Sequence, residues 1–200
     1  MARRPQIIAF DEDRCIASGD IIDVATRVKQ TLSVQPTARV LLFDIETSRP
    51  VEIDFRGSTA DVTARLRESL SQEATEPAPR GPGRPKLGVV AREVTLLPRH
   101  WEWLAAQPGG ASVTLRKLIE DARRTTSVKD YERGLQESVH RFMSAMAGDK
   151  PHYEEALRAL YANEGARFHA LIADWPCDVR RHVERLASGL FHGTLEAKQA

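Results

Sequence analysis

The stretch that decides how the chain folds is PRGPGRPKLGVVAREVTLLPRHWEWLAAQPGGASVTLRKLIEDARR, residues 79–124. A basic arm rich in proline and glycine comes first, and a short apolar run, Val94–Leu97, follows it. Pro98 suits the first turn of a helix because its ring fixes φ near the helical value. Gly109 and Gly110 can adopt positive φ, so we expect them to end that helix in a turn. The pattern predicts an arm, a strand and two helices.

The second of these helices has both a start signal and an apolar face. Ser112 is a good N-cap, because its hydroxyl can accept a hydrogen bond from a first-turn N–H. A stripe of apolar residues at helical spacing follows: Leu115, Leu118, Ile119 and Ala122. Residues 92–124 therefore resemble the ribbon-helix-helix family of DNA-binding proteins. The resemblance implies a homodimer whose paired strands enter the major groove.

The strand departs from that family in its chemistry. Strand side chains alternate between two faces, so the register decides which of them meet DNA. In one register two of the three DNA-facing side chains are aliphatic, and in the other an acid, Glu93, faces the phosphates. We therefore expect DNA contact to come mainly from the arm and the helix termini.

The arm RGPGRPK, residues 80–86, resembles an AT-hook, in which an extended Gly-Arg-Pro core lies along a narrow minor groove. Here Pro82 and Gly83 interrupt that core. Residues 80–129 carry ten basic and four acidic side chains, whereas both flanking segments are mildly acidic. A basic block of this kind suits phosphate neutralisation, although a solvated surface gives the same count. The candidate DNA contacts are Arg80, Arg84, Lys86, Arg92, Arg99, Ser112, Arg116 and Lys117.

The N-terminal residues 1–71 are predicted to form a small α+β domain of about four strands and two helices. A hairpin is expected over residues 6–17, and a helix is expected to start at Ser18–Asp20. Residues 39–43 are predicted to form a central strand, and the alternating residues 51–55 a half-buried one. Ser58–Asp61 resembles a capping box at the start of a second helix.

With the remaining segments, the predicted fold class of the chain is α+β. Residues 72–90 are predicted to be a linker or arm, and residues 91–126 the strand-helix-helix module. Residues 127–200 are predicted to form a helical bundle. Its helices should run from Ser127 to Gly148, from Pro151, around residues 168–175, and from Pro176.

Composition and motifs narrow the function. The 200 residues are 42% hydrophobic and 28% charged with a net charge of +1, which is ordinary for a folded chain. The sequence lacks the usual serine-hydrolase, phosphate-loop, zinc-protease and Cys-x-x-Cys motifs, so we expect no enzyme activity and no cofactor. The acids and histidines lack a regular ligand spacing, so no metal is expected.

Location and partners follow from similar reasoning. No apolar run approaches the length of a membrane span, and Cys15 and Cys177 lie far apart, so we expect a reduced cytoplasmic protein without a membrane partner. The hypothesis is a DNA-binding, regulatory homodimer. The alternative is a non-enzymatic protein-interaction or scaffold module, with any small-molecule ligand left open. Trp101 and Trp103 cannot share one helix face, so one should be core and the other partly exposed.

Three strings carry a second resemblance, which covers nearly the whole chain. They are residues 83–124, GRPKLGVVAREVTLLPRHWEWLAAQPGGASVTLRKLIEDARR, together with FMSAMAGDKPHYEEALRALY and LIADWPCDVRRHVERLA. The chain is similar through them to a bacterial family of uncharacterised proteins, a domain of unknown function. This resemblance implies no catalytic residues.

Overall fold

A computed structural model describes residues 5–75 and 92–191 of the chain. These residues divide into two compact units. The first unit contains the described residues of Met1–Glu76 and Tyr131–Ala200, and the second contains those of Pro77–Asp130. The fold is mixed α+β, with a small antiparallel sheet near the N-terminus followed by a helical region.

The sheet of the first unit has three strands: β1 (Gln6–Asp11), β2 (Arg14–Asp20) and β3 (Val40–Asp44). Their order is β2-β1-β3 and both pairings are antiparallel. The predicted hairpin is confirmed, with Glu12 at a positive φ of 49° in its turn. The prediction that residues 39–43 form the central strand is wrong, because β1 occupies the centre.

Strand β1 is buried on both of its faces. Ile8 and Phe10 belong to one core cluster, and Ile7 and Ala9 belong to the other. This division follows the two-residue period of a strand, which directs alternate side chains to opposite faces. Helices therefore cover the sheet on each side of β1.

Helices α1 (Ile21–Val34) and α2 (Thr59–Thr75) begin at the predicted caps. The Oδ1 atom of Asp20 accepts a hydrogen bond from the Ile22 N–H at 2.9 Å. Ser58 and Asp61 form a reciprocal capping box, since the Ser58 N–H donates to the carboxylate at 2.8 Å and the Asp61 N–H donates to the hydroxyl at 3.2 Å.

The predicted fourth strand, residues 51–55, is not a strand. Its side chains do alternate between half-buried and exposed, as the sequence pattern predicts. Pairing with β3 is limited to one isolated bridge between Phe43 and Pro50 and a hydrogen bond from the Val51 N–H to the Leu42 carbonyl at 2.9 Å. The alternation is therefore correct, but the segment leaves the sheet after its first contact.

Four helices lie in or extend into the described residues 131–191: α4 (Gly110–Met146), α5 (Tyr153–Tyr161), α6 (Gly165–Leu171) and α7 (Cys177–Ala187). Phe142, Phe168 and Val183 from three of them are completely buried. They share one core cluster with Phe10 and Phe43 of the sheet. Residues that the sequence divides between a 1–71 domain and a 127–200 bundle thus share one core.

A histidine lies inside this shared core. The His182 ring packs edge-on against Phe142 and Phe10, with centroid distances of 4.4 and 5.9 Å. Its Nδ1 atom is in close contact with the Arg185 guanidinium, which can only donate, so Nδ1 accepts and the ring proton resides on Nε2. Nε2 is buried, and no hydrogen-bond partner for it lies within residues 5–75 and 92–191. Burial, reinforced by the Arg185 charge, lowers the pKa of His182 to about 3.

The second unit differs from the predicted strand-helix-helix module in two respects. Residues 92–97 have no regular secondary structure, so the predicted strand Val94–Leu97 is wrong for the described chain. Helix α3 (Pro98–Ala105) does begin at Pro98 as predicted, and Gly109 and Gly110 have φ values of 90° and 73°. The next helix, however, is α4, which continues to Met146 instead of ending near residue 124. The described residues of the second unit therefore do not have the strand, short helix and short helix of a ribbon-helix-helix protein.

Candidate nucleic-acid interface

The predicted DNA contacts fall into three groups along the chain. Arg80, Arg84 and Lys86 of the basic arm lie outside the described residues. Arg92 belongs to the irregular segment 92–97, and its side chain is exposed.

Arg99 lies in the first turn of α3 and is also exposed. Its guanidinium Nε donates to the Nε2 atom of His100 at 3.5 Å, a long contact at the limit of a hydrogen bond. Neither Arg92 nor Arg99 is anchored by burial, so both cations are available to solvent. Arg92 lies in the irregular segment and Arg99 on α3.

The other predicted contacts lie on the first two turns of α4. Ser112 is not the N-cap, because the helix begins two residues earlier, at Gly110. The backbone carbonyl of Ser112 accepts a hydrogen bond from Nε of Arg116 at 3.0 Å. Arg116 and Lys117 are both exposed. The structure therefore brings Ser112 and Arg116 together through the helix backbone, with Lys117 beside them in sequence.

The sequence prediction omits three more exposed cations in the part of α4 that belongs to the second unit: Arg123, Arg124 and Lys129. Arg123 donates to the carboxylate of Glu120 at 3.3 Å, in a pair whose side chains are 73% and 57% exposed. A shallow depression of about 400 Å³ lies beside them, lined by Glu120, Arg123, Arg124, Ser127 and Asp130. Its mixed charge makes it a poor pocket for a single anion. Two of these cations, Arg123 and Arg124, are adjacent in the sequence, and that doublet could have identified them as candidate phosphate contacts.

The tryptophans of α3 are both exposed. Trp101 is 41% exposed and Trp103 is 52% exposed, whereas Leu104 between their two faces is only 3% exposed. The prediction that one tryptophan belongs to a core is therefore wrong for the described chain. Of these three residues of α3, only Leu104 is buried.

Exposed apolar side chains are concentrated in the second unit. A helix or extended segment that leaves several large apolar groups in water usually meets another surface. Leu104 is the one buried residue among the described residues 92–130. The exposed large apolar side chains there are Val94, Leu97, Trp101, Trp103, Leu118, Ile119 and Val128.

The Cys15 thiol of the first unit is half-buried. Burial, with the charge of Asp178 adding to it, raises the pKa of the Cys15 thiol, which opposes the thiolate form that a nucleophile needs. The Cys15 N–H donates to the Asp178 carboxylate at 3.0 Å, so that carboxylate holds the hairpin against α7. Within residues 5–75 and 92–191 no group of three His, Cys, Asp or Glu side chains is placed to hold a metal ion.

No helix in the described part of the chain is both long and apolar enough to cross a membrane. This holds even for α4, whose 37 residues are long enough but carry many charges.

Comparison with known proteins finds a family but no characterised relative. No curated protein matches the chain, and no solved structure matches it. The model of an uncharacterised protein family conserved in bacteria, DUF2239, matches residues 6–187. This match spans both units of the structure and nearly all of the sequence. The chain therefore belongs to the DUF2239 family.

Proposed function

We propose that this protein is a DNA-binding, regulatory protein that acts as a homodimer, using the basic arm and residues 92–130. The observation that carries the proposal is the exposure of every basic side chain in residues 92–130. These side chains are Arg92, Arg99, Arg116, Lys117, Arg123, Arg124 and Lys129. Seven exposed cations, together with Arg80, Arg84 and Lys86 in the preceding arm, match the electrostatic requirement of a phosphate backbone.

The proposal does not need a ribbon in the major groove. Residues 92–97 are irregular and mostly exposed, and their side chains include few groups that read base edges. Contacts to phosphate and to a narrow minor groove require only extended backbone and cations. We therefore expect affinity for duplex DNA with modest sequence preference and a steep dependence on salt.

The test is fluorescence anisotropy of the full chain with a labelled duplex rich in A·T pairs, at about 50 and 200 mM salt. Arg84→Ala/Lys86→Ala and Arg92→Ala/Arg99→Ala should each weaken binding and lower the salt slope by up to about 2, roughly 0.9 for each lost phosphate contact. A matched control removes two arginines of the first unit, Arg39 and Arg67, which are also exposed.

The control should bind as the wild type does. The proposal would be overturned if the wild type did not bind at about 50 mM salt. It would also be overturned if the control lost as much affinity as the Arg84→Ala/Lys86→Ala and Arg92→Ala/Arg99→Ala variants do.

The second candidate function is a protein-interaction module, and the exposure of both Trp101 and Trp103 favours it. Tryptophan is enriched in the energetic centres of protein interfaces. The two candidates differ in salt dependence, because an apolar contact does not weaken steeply as salt rises. A chain that ignores duplex DNA at low salt would favour the second candidate.

A further inference from the structure

The middle of α4 lacks the burial that its two ends have. Leu115 near its start is half-buried, and Val139 and Phe142 near its end are completely buried. Every residue in the range 116–134 between them is exposed. Helices in proteins owe most of their stability to the packing of an apolar face, and an unpacked helix of a few turns is only marginally stable in water. The middle of α4 therefore has little tertiary support among the described residues.

The residues at the centre of this exposed range are poor helix formers. Residues 125–128 read Thr-Thr-Ser-Val. Valine and threonine lose rotamer freedom against the preceding turn of a helix, and serine and threonine compete for its backbone hydrogen bonds. All four rank below alanine in helix propensity, and together they lower the stability of the helix locally by roughly tenfold or more.

The threonine hydroxyls in this run bond to carbonyls one turn back. The Thr125 hydroxyl lies 3.0 Å from the carbonyl oxygens of both Asp121 and Ala122. The Thr126 hydroxyl donates to the same Ala122 carbonyl at 2.9 Å. Bonding of this kind slightly destabilises a helix and often bends it. The weak propensity of the run and its hydroxyl bonds thus fall at the same place in α4.

Helix α1 has the same hydroxyl chemistry together with tertiary support. The Thr26 hydroxyl donates to the Ile22 carbonyl at 2.8 Å, and the Ser33 hydroxyl donates to the Lys29 carbonyl at 2.8 Å. That helix buries Ile22 and Val28 in the core, so packing keeps it closed. The two helices therefore differ in burial and not in the bonds that their hydroxyls make.

We infer that α4 contains a hinge, which opens locally at residues 125–128 while the packed end of the helix stays folded. A segment with few buried contacts opens at a lower free energy than the whole protein. The side chains of α4 in the core of the first unit run from Leu135 onward, so opening at 125–128 leaves that core intact. This inference goes beyond the proposed function, because it concerns the free chain and requires no DNA.

The experiment is amide hydrogen exchange of the full chain without DNA, followed by mass spectrometry. Amides in the range 116–134 should exchange at least about a hundredfold faster than those in the range 139–146, yet more slowly than those of an unstructured peptide. Exchange as slow as that of residues 139–146 would overturn the inference, because packing would then hold the middle of α4. Exchange as fast as that of the peptide would also overturn it, because no helix would be present to open.

A fourfold variant tests whether the weak run sets the opening. It places alanine, the best helix former, at all four positions: Thr125→Ala/Thr126→Ala/Ser127→Ala/Val128→Ala. Exchange in the range 116–134 should slow by roughly tenfold or more. The matched control, Thr31→Ala/Ser33→Ala, removes two hydroxyls that make the same kind of bond on α1, and it should leave exchange in that range unchanged. A fourfold variant that exchanges as the wild type does would contradict the inference.

A proline variant tests whether the packed end of α4 stays folded when the hinge is open. Val128→Pro removes a helix hydrogen bond within the weak run and should leave exchange of residues 139–146 unchanged. The matched control, Ala145→Pro, breaks the packed part of the helix at a residue that is exposed, as Val128 is. It should speed exchange of residues 139–146 at least about tenfold. A similar gain in Val128→Pro would show that the two parts of α4 unfold together, and the hinge would be refuted.

Discussion

The buried histidine of the first unit should make folding sensitive to mild acid. In the unfolded chain His182 takes a proton below its ordinary pKa of 6.5, whereas in the folded chain it does so only below about 3. Between those values the unfolded chain binds more protons, so the free energy of unfolding falls as the pH falls. Each pH unit in this window is worth about 1.4 kcal/mol, so at about pH 5 the loss from this one residue is ~2 kcal/mol.

His182→Leu removes the titrating group and the buried Nε2 hydrogen, for which the described part of the chain supplies no acceptor. Loss of an unsatisfied polar group offsets the imperfect fit, so we expect stability at about pH 7.5 to stay within about 1 kcal/mol of the wild type. The acid-induced loss, however, should shrink by ~2 kcal/mol at about pH 5. Urea unfolding followed by circular dichroism at both pH values measures the difference directly.

The matched control is His169→Leu, because His169 is an exposed histidine of α6. That variant should retain the acid sensitivity of the wild type. If His182→Leu loses as much stability between the two pH values as the wild type does, the reasoning from burial is refuted.

Two further predictions concern local structure, and urea unfolding at neutral pH checks both. Ser58→Ala removes the capping box with Asp61 and should lower stability by about 1 kcal/mol, and no loss would mean that the cap is dispensable. Gly165→Ala should destabilise by about 1–3 kcal/mol, because an added Cβ would lie 2.8 Å from Cγ and 3.0 Å from Cβ of Phe191. Its counterpart Gly134→Ala meets open space on α4 and should instead stabilise by roughly 0.5–1 kcal/mol, so effects of equal sign would contradict the packing argument.

Features that are encoded within a few residues could be predicted from the sequence. The first hairpin, the helix start at Asp20 and the capping box at Ser58 are all found in the structure. Each depends on a turn or a cap, whose hydrogen bonds close within three or four residues. The neighbours of a strand are set by distant parts of the chain, so the edge position of β3 could not be deduced from its apolar run.

The uninterrupted course of α4 shows why a polar segment can mislead. Thr125, Thr126 and Ser127 suggest a break between two helices, because such residues compete with the helix backbone. In the structure the Thr125 hydroxyl donates to the Asp121 carbonyl at 3.0 Å, and that of Thr126 donates to the Ala122 carbonyl at 2.9 Å. These side chains are satisfied one turn back, so the helix continues through them.

The candidate interface was predicted in part. The basic residues of the described segment 92–130 are exposed, as the charge count of that segment suggests. The sequence could not show that Val94–Leu97 has no strand partner among the described residues, since a short apolar run suits a strand or an irregular segment equally. Nor could it show that both tryptophans of α3 face solvent.

The double burial of β1 has a consequence for biosynthesis. One face of the strand is covered by α1 and α2, which leave the ribosome soon after it. The other face, with Ile8 and Phe10, packs mainly against side chains from Leu135 onward. Until that part of the chain has been made, a nascent chain carries an uncovered apolar surface and is open to chaperones. A chain truncated before α4 ends should therefore be recognised as unfinished and degraded.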